Sequence, residues 1–455
     1  MNRLGDRHLE QRVQNLTKGN IYKTLAVFAL PYLMANFIQA LYGAVDMMVV
    51  GWFNDAAVVA AVSIGTQMMQ IVISFVAGLT MGGTIIIAQY YGGGREKDTV
   101  ETISTMLTLF AIAALLMTLA LFLLAAPFLG LLKTPAESFA SAMDYVRICA
   151  CGIFFIFGYN ALAAMLRGLG DSKSPLYFIA AACVFNIVFD LLLVGGLKMG
   201  AAGAALATAG SQGVSMILAI VYLNRKSFIF KFKKDNFRIY RDKAERLLKV
   251  GIPVSLQETL LQISFLFITA IINTMGVVAA AAVGIAGKFD AFAMLPASAF
   301  SGAIAAIAAQ NIGAGQPDRA KKSLFASIVM SLLCSIPFFI WAQVFPASVL
   351  QIFRAEPAVI SAGTAYLRTF SIDFMLVAFG FCFLGFFNGC GRTAFSMVNG
   401  VAASLLVRLP LAWILSVTLS GSLMAIGLAA PAATLVSVVA EIIYLRLGRW
   451  KTPVV

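Results

Sequence analysis

Apolar residues fall along this chain in runs about one membrane thickness long, broken by short polar or glycine-bearing stretches. A bilayer hydrocarbon core of ~30 Å takes roughly 20 consecutive apolar residues in a helix. On that ruler twelve spans are expected, near 25–50, 57–82, 101–124, 142–166, 175–196, 201–223, 248–273, 278–309, 324–345, 360–386, 396–419 and 423–446. The stretch 1–24 is polar and basic, and the apolar run behind it is too long for the core of a signal peptide, so no cleavable leader is expected.

The pattern then repeats. Leu25-Ala26-Val27-Phe28-Ala29-Leu30-Pro31 aligns with Leu247-Leu248-Lys249-Val250-Gly251-Ile252-Pro253. Ala88-Gln89-Tyr90-Tyr91-Gly92-Gly93-Gly94 aligns with Ala309-Gln310-Asn311-Ile312-Gly313-Ala314-Gly315, and Tyr145-Val146-Arg147 with Tyr366-Leu367-Arg368. The offset between copies is nearly constant, and one period holds six spans. Six is even, so both copies enter the membrane from the same side, and parallel repeats about an axis along the membrane normal suit a central cavity and rocking of two lobes. The expected layout is a tail at 1–24, a six-helix lobe at 25–224, a basic linker at 225–247, a second lobe at 248–446 and a tail at 447–455.

Composition agrees. The 455 residues are 61% hydrophobic and 12% charged, with mean hydropathy +0.91, whereas soluble domains carry about 25% charged residues. This is an all-α integral membrane protein of twelve transmembrane helices. The net charge of +13 could suggest nucleic acid, but topology explains it. Of 33 Lys and Arg, 26 lie in the two tails and the alternate loops on their side, and Lys133, Lys198 and Arg354 alone lie in loops of the other. The positive-inside rule then places both termini in the cytoplasm, with the basic 225–249 stretch against anionic headgroups. No nucleic-acid partner is expected. Six scattered cysteines and a single histidine, His8, give no metal-binding spacing. They read as packed thiols, and any proton relay within the spans must use carboxylates.

Asp46 and Asp190 sit inside long apolar runs. A charge at membrane depth costs ~3 kcal/mol on insertion scales and commonly marks an ion or substrate path. Asn186 lies one helical turn before Asp190, on the same face. Carboxylates with an amide oxygen form a hard oxygen shell suited to Na⁺. Carboxylates close together and partly desolvated equally suit a carrier of H⁺. The second half buries Glu258, Lys288, Asp290, Asp373 and Arg408. Asp373 and Arg408 lie at similar depth, about 18–20 Å from the cytoplasmic helix ends at 1.5 Å per residue. A salt bridge there would neutralise Asp373 as a proton carrier, and structural pairing and transport duty weigh equally for it. Glu441, near a helix end, is expected to snorkel.

The Pro31-to-Asp46 spacing followed by Val49-Val50-Gly51, the doubled Gln-Gly segments at 88–94 and 309–315, and Leu166-Arg167-Gly168-Leu169-Gly170-Asp171 together resemble the multidrug and toxic compound extrusion (MATE) family of prokaryotes. The likeness covers about 20–446, although Gly389-Cys390-Gly391-Arg392 lacks the Arg and Asp of the first copy. The resemblance implies a polytopic inner-membrane exporter, acting as a monomer, that expels small organic, mostly cationic or amphipathic compounds against Na⁺ or H⁺ by alternating access. It carries the coupling role onto Asp46, Asn160, Asn186 and Asp190, with Na⁺ at Asp46, Asn186 and Asp190 if sodium is the ion. Glu258 and Asp373 match coupling or substrate positions of some members, and Asp290 joins them as a C-lobe candidate. Lys288 and Arg408 are candidate structural charge partners. Thirty-six Phe and nineteen Met provide an adaptable apolar surface for flat cations. No nucleophile–base pair or nucleotide loop appears, so neither enzyme activity nor a cofactor is expected. A lipid-linked saccharide flippase of the same superfamily is the alternative, and it would call for basic cavity residues.

Overall fold

The computed structural model describes residues 15–225, 237–353, 355–418 and 422–455. Most of the expected N-terminal tail, residues 226–236 of the expected linker, and Arg354 lie outside these. Among the described residues every regular element is helical, and twelve helices are long and apolar enough to cross a membrane. They are α1 (Ile21–Phe53), α2 (Ala56–Gly92), α3 (Glu96–Leu131), α4 (Ala136–Leu169), α5 (Lys173–Gly196), α6 (Gly200–Asn224), α7 (Arg241–Asn273), α8 (Val277–Gly313), α9 (Pro317–Val344), α10 (Ile372–Gly389), α11 (Thr393–Thr418) and α12 (Leu423–Leu447). Each expected span overlaps one of them, but the span expected at 360–386 is divided, its first part lying in a separate helix, Pro357–Phe370, ahead of α10.

The chain folds as two compact units. The first is Met34–Gly251; the second joins Leu16–Leu33 to Ile252–Val454. Hydropathy suggested that each bundle would start with its own first helix. Instead the chain passes between units inside α1 and α7, beside Pro31 and Pro253. A proline inside a helix removes one backbone hydrogen bond and lets the helix bend, so each is a natural place for a change of packing partner. The start of α7 is fixed in the first unit by polar contacts. Ser104 Oγ donates to the Arg238 carbonyl at 2.9 Å, and the Arg238 and Tyr240 amides donate to Ser104 and Thr105 hydroxyls. Lys243, 4% exposed, pairs with Asp98 and with Asp242 at 2.9 Å and donates to Tyr90 Oη at 3.2 Å. In the second unit Arg319 donates to the Gly19 and Lys18 carbonyls, and Asn311 to that of Leu16. Asp98 and Arg319 are repeat-equivalent positions doing matching work.

Inside each unit the middle helices carry the core. In α2 and α4, 67% of the most apolar window is buried, against 22% in α3; α8 and α10 repeat this at 67% and 61%. Helix α4 packs on α2, α3 and α6, and α10 on α8, α9 and α12. Gly168 shows how close the approach is: a Cβ there would lie 2.9 Å from the Thr84 carbonyl oxygen. Gly389, its equivalent in the second repeat, meets the Ala305 carbonyl in the same way, as small residues at membrane helix contacts do. The turns after α2 and α8 close on Gly94 and Gly315, at φ +68° and +70°, where a side chain would be strained.

Several helices are irregular. Helix α5 turns to π-helix over Leu191–Gly196 and α11 over Ala403–Arg408. Helix α8 is interrupted at Met294, and α10 begins after a break at Ser371 that separates it from a short helix, Pro357–Phe370. Hydropathy shows none of this, because it reports polarity and not the local hydrogen-bond register. π-turns within α-helices often accompany functional sites, and Asp190, Asp290, Asp373 and Arg408 all lie on or within about one turn of these irregular points.

A candidate ion-binding site in the first bundle

Asp46 lies on α1 beyond Pro31, in the part of that helix belonging to the first unit. Asp190 ends the regular part of α5, and the π-turn follows it directly. Their carboxyls face each other within hydrogen-bonding reach. Both are buried, Asp46 at 6% exposure and Asp190 at 0%. Asn186, also 0% exposed, is one turn before Asp190 on the same face. Asp46 Oδ1, both oxygens of Asp190 and both polar atoms of Asn186 are buried without a hydrogen-bond donor or acceptor supplied by another group. Buried polar atoms are normally satisfied. An oxygen-rich set with so few donors matches a proton shared between the acids or a small hard cation between them.

Residues that the sequence did not single out complete the surroundings. Tyr42, one turn before Asp46, contacts Ser211 of α6 at 3.5 Å, and Thr208 lies beside it. Tyr145 of α4 contacts Thr66 of α2 at 3.2 Å and lies within electrostatic range of Asp46. The one-turn spacing of Tyr42 and Asp46 was a usable signal; hydroxyls in the alanine-rich α6 gave none. Asn160 stands differently. Its amide donates to the Ile156 carbonyl of its own helix at 2.8 Å, and it is half-buried.

The second bundle gathers another group. Asp290 and Asp373 lie within electrostatic reach of each other and of Arg408, with the Tyr366 phenol among them. Of the two alternatives for Asp373, the salt bridge to Arg408 does not form as a direct contact. Thr434 of α12 lies within hydrogen-bonding reach of the Asp373 carboxyl, and the Arg408 guanidinium stacks 4.4 Å above the Phe265 ring. Equal depth along two helices therefore did not fix equal azimuth. Lys288 is exposed, its ammonium 5.5 Å from the Phe353 ring centroid, and is no partner to the acids. Glu258 is half-buried on α7. Glu441 does not snorkel; it is buried at 3% exposure. The six cysteines are free thiols.

The sequence model of the MatE family matches residues 31–192 and again 253–414, one copy in each repeat. The chain belongs to the MatE family. Relatives extend over nearly its whole length. "Probable multidrug resistance protein YpnP" of Bacillus subtilis is 29% identical over 97% of this chain and 98% of its own. "Multidrug export protein MepA" of Staphylococcus haemolyticus is 22% identical over 88% of each. A solved MATE in complex with MaL6 superposes with TM-score 0.91 over 97% of this chain and 99% of its own, at 21% identity. A transporter of the wider superfamily from Pyrococcus furiosus, whose pocket has reversed polarity, superposes with TM-score 0.90 at 21% identity over 97% and 99%. This MATE protein is thus a multi-pass membrane transporter of a multidrug efflux family. The Leu166–Asp171 motif of the resemblance acts as a helix cap here: Asp171 accepts from the Lys173 and Ser174 amides at 3.0 and 2.9 Å.

Proposed function

We propose that the chain is a secondary antiporter of the plasma membrane, with both termini cytoplasmic. It expels small organic, mainly cationic or amphipathic compounds against H⁺ or Na⁺ by alternating access, as a single chain. The facing pair Asp46 and Asp190 carries this reading. Two carboxyls with an adjacent amide, buried in one bundle and short of donors, bind one positive charge well and release it when water enters. Such a site can exist in a loaded and an unloaded form, and a transport cycle needs both. Asn186 supplies the amide oxygen, and Asn160 belongs to the path only if the α4 face turns toward it during the cycle. Glu258, Asp290 and Asp373 supply negative charge that could attract a cationic substrate, with Arg408 moderating it. The flippase alternative finds little support in these acids, because a pyrophosphate cargo calls for cations. The relatives' multidrug names support organic substrates.

The test is dye efflux from everted vesicles with Na⁺ and proton gradients imposed separately. One gradient should drive efflux in the wild type and fail to drive it in Asp190→Asn. Efflux that ignores both gradients would overturn the proposal.

A further inference from the structure

The second bundle holds a polar seam that neither the coupling pair nor the Asp290–Asp373 group uses. Glu441 of α12 is 3% exposed, and its Oε2 has no hydrogen-bond partner. No Lys or Arg pairs with it among the described residues. Asn399 of α11 donates to Ser437 Oγ at 2.8 Å and lies within hydrogen-bonding reach of the Glu441 carboxyl. From α10 the Cys382 thiol, the titratable group that faces Glu441, contacts Ser327 of α9 at 3.2 Å. One turn on, Ser331 is 0% exposed, its hydroxyl beside the same thiol and otherwise unpartnered.

The first bundle shows that the fold does not require this polarity. The repeat register that aligns Leu25 with Leu247 and Tyr145 with Tyr366 places Ala219 opposite Glu441, Phe178 opposite Asn399, Ala161 opposite Cys382, Met106 opposite Ser327 and Phe110 opposite Ser331. The same two positions meet in both bundles, although through different atoms: the Ser215 hydroxyl donates to the Phe178 carbonyl at 3.4 Å, whereas Ser437 Oγ accepts from the Asn399 amide at 2.8 Å. All five first-bundle residues are buried and apolar, between 0% and 7% exposed. Apart from Ser215, which keeps the hydroxyl of Ser437, the same helix junction is thus filled with hydrocarbon in one bundle and lined with polar atoms in the other. Burying an unpaired carboxyl is costly, and an apolar alternative was at hand.

We propose that Glu441, Asn399, Ser437 and Ser331 form a second site that holds one positive charge, as H⁺ or Na⁺, independently of Asp46 and Asp190. Full-length protein in lipid nanodiscs provides the test, by infrared difference spectroscopy across pH and between choline and Na⁺ buffers at fixed pH. A carboxyl band that responds should vanish in Glu441→Gln and persist in Asp190→Asn. A response to pH alone identifies H⁺, and a response to Na⁺ at fixed pH identifies Na⁺. Glu441→Ala with Asn399→Phe carries the first bundle's residues and should fold even if Glu441→Gln does not. A spectrum unchanged in the Glu441 variants overturns the proposal, as does failure of both to fold, which would make the seam structural. A spectrum unchanged by Asp190→Asn counts against the first-bundle reading instead.

Discussion

Asp46 and Asp190 can be tested one atom at a time, because Asp→Asn keeps the shape and removes the charge. Asp190→Asn should insert and fold normally yet lose ion-driven efflux to background. Asp46→Asn should behave alike, and the double variant should be little worse than either, since the two carboxyls share one site and their effects are not additive. Efflux assays at matched expression decide this, and normal transport by Asp190→Asn would remove that residue from the mechanism. Lys243 is a residue of another kind. It holds the start of α7 through Asp98, Asp242 and Tyr90 while only 4% exposed. Hydrogen bonds to charged groups contribute roughly 1.5–3 kcal/mol, so Lys243→Ala should lower the detergent melting temperature clearly. Lys97→Ala, whose side chain is 91% exposed, should not move it.

Helix against helix, the decisive feature is how closely α4 meets α2 and α10 meets α8. At Gly168 and Gly389 the neighbour is a backbone carbonyl, which cannot rotate away as a side chain could. Gly389→Ala should therefore destabilise by about 1–3 kcal/mol, the usual cost of overpacking. Gly284→Ala, where a Cβ meets nothing within 4 Å, is the matched control and should stay within about 0.5 kcal/mol. Thermal unfolding of both purified variants checks the pair. Equal melting temperatures would mean that the helices can part at no cost. The breaks at Met294 and Ser371 belong to the same scale. The first interrupts α8 and the second parts α10 from the helix Pro357–Phe370 ahead of it, while the counterparts in the first bundle, α2 and α4, run unbroken through Ala56–Gly92 and Ala136–Leu169. The two repeats therefore share packing and differ in local geometry around their acids.

For the whole molecule, the distribution of Lys and Arg makes one firm demand. A fluorescent protein fused after Val455 should fluoresce, and a periplasmic phosphatase reporter at the same place should stay inactive. A cysteine replacing Lys198, in the loop between α5 and α6, should be labelled by an impermeant reagent from outside intact cells. The reverse pattern would invert the topology and with it the direction of transport.

The twelve helices, their pairing into two copies and the membrane setting were legible in the sequence, because hydropathy and a fixed period act locally and add up along the chain. Asp46, Asn186 and Asp190 were legible too, since a carboxylate within an apolar run stands out wherever the helix points. The sequence could not show what depends on azimuth or on hydrogen-bond register. Asp373 and Arg408 share a depth but not a direct contact, Glu441 turned inward instead of reaching for the helix end, and Ser211 met Tyr42 from α6, a helix that sequence does not align with α1. The exchange of the first turns of α1 and α7 between units was equally hidden: hydropathy records that a helix is buried, and only the tertiary fold decides which bundle buries it.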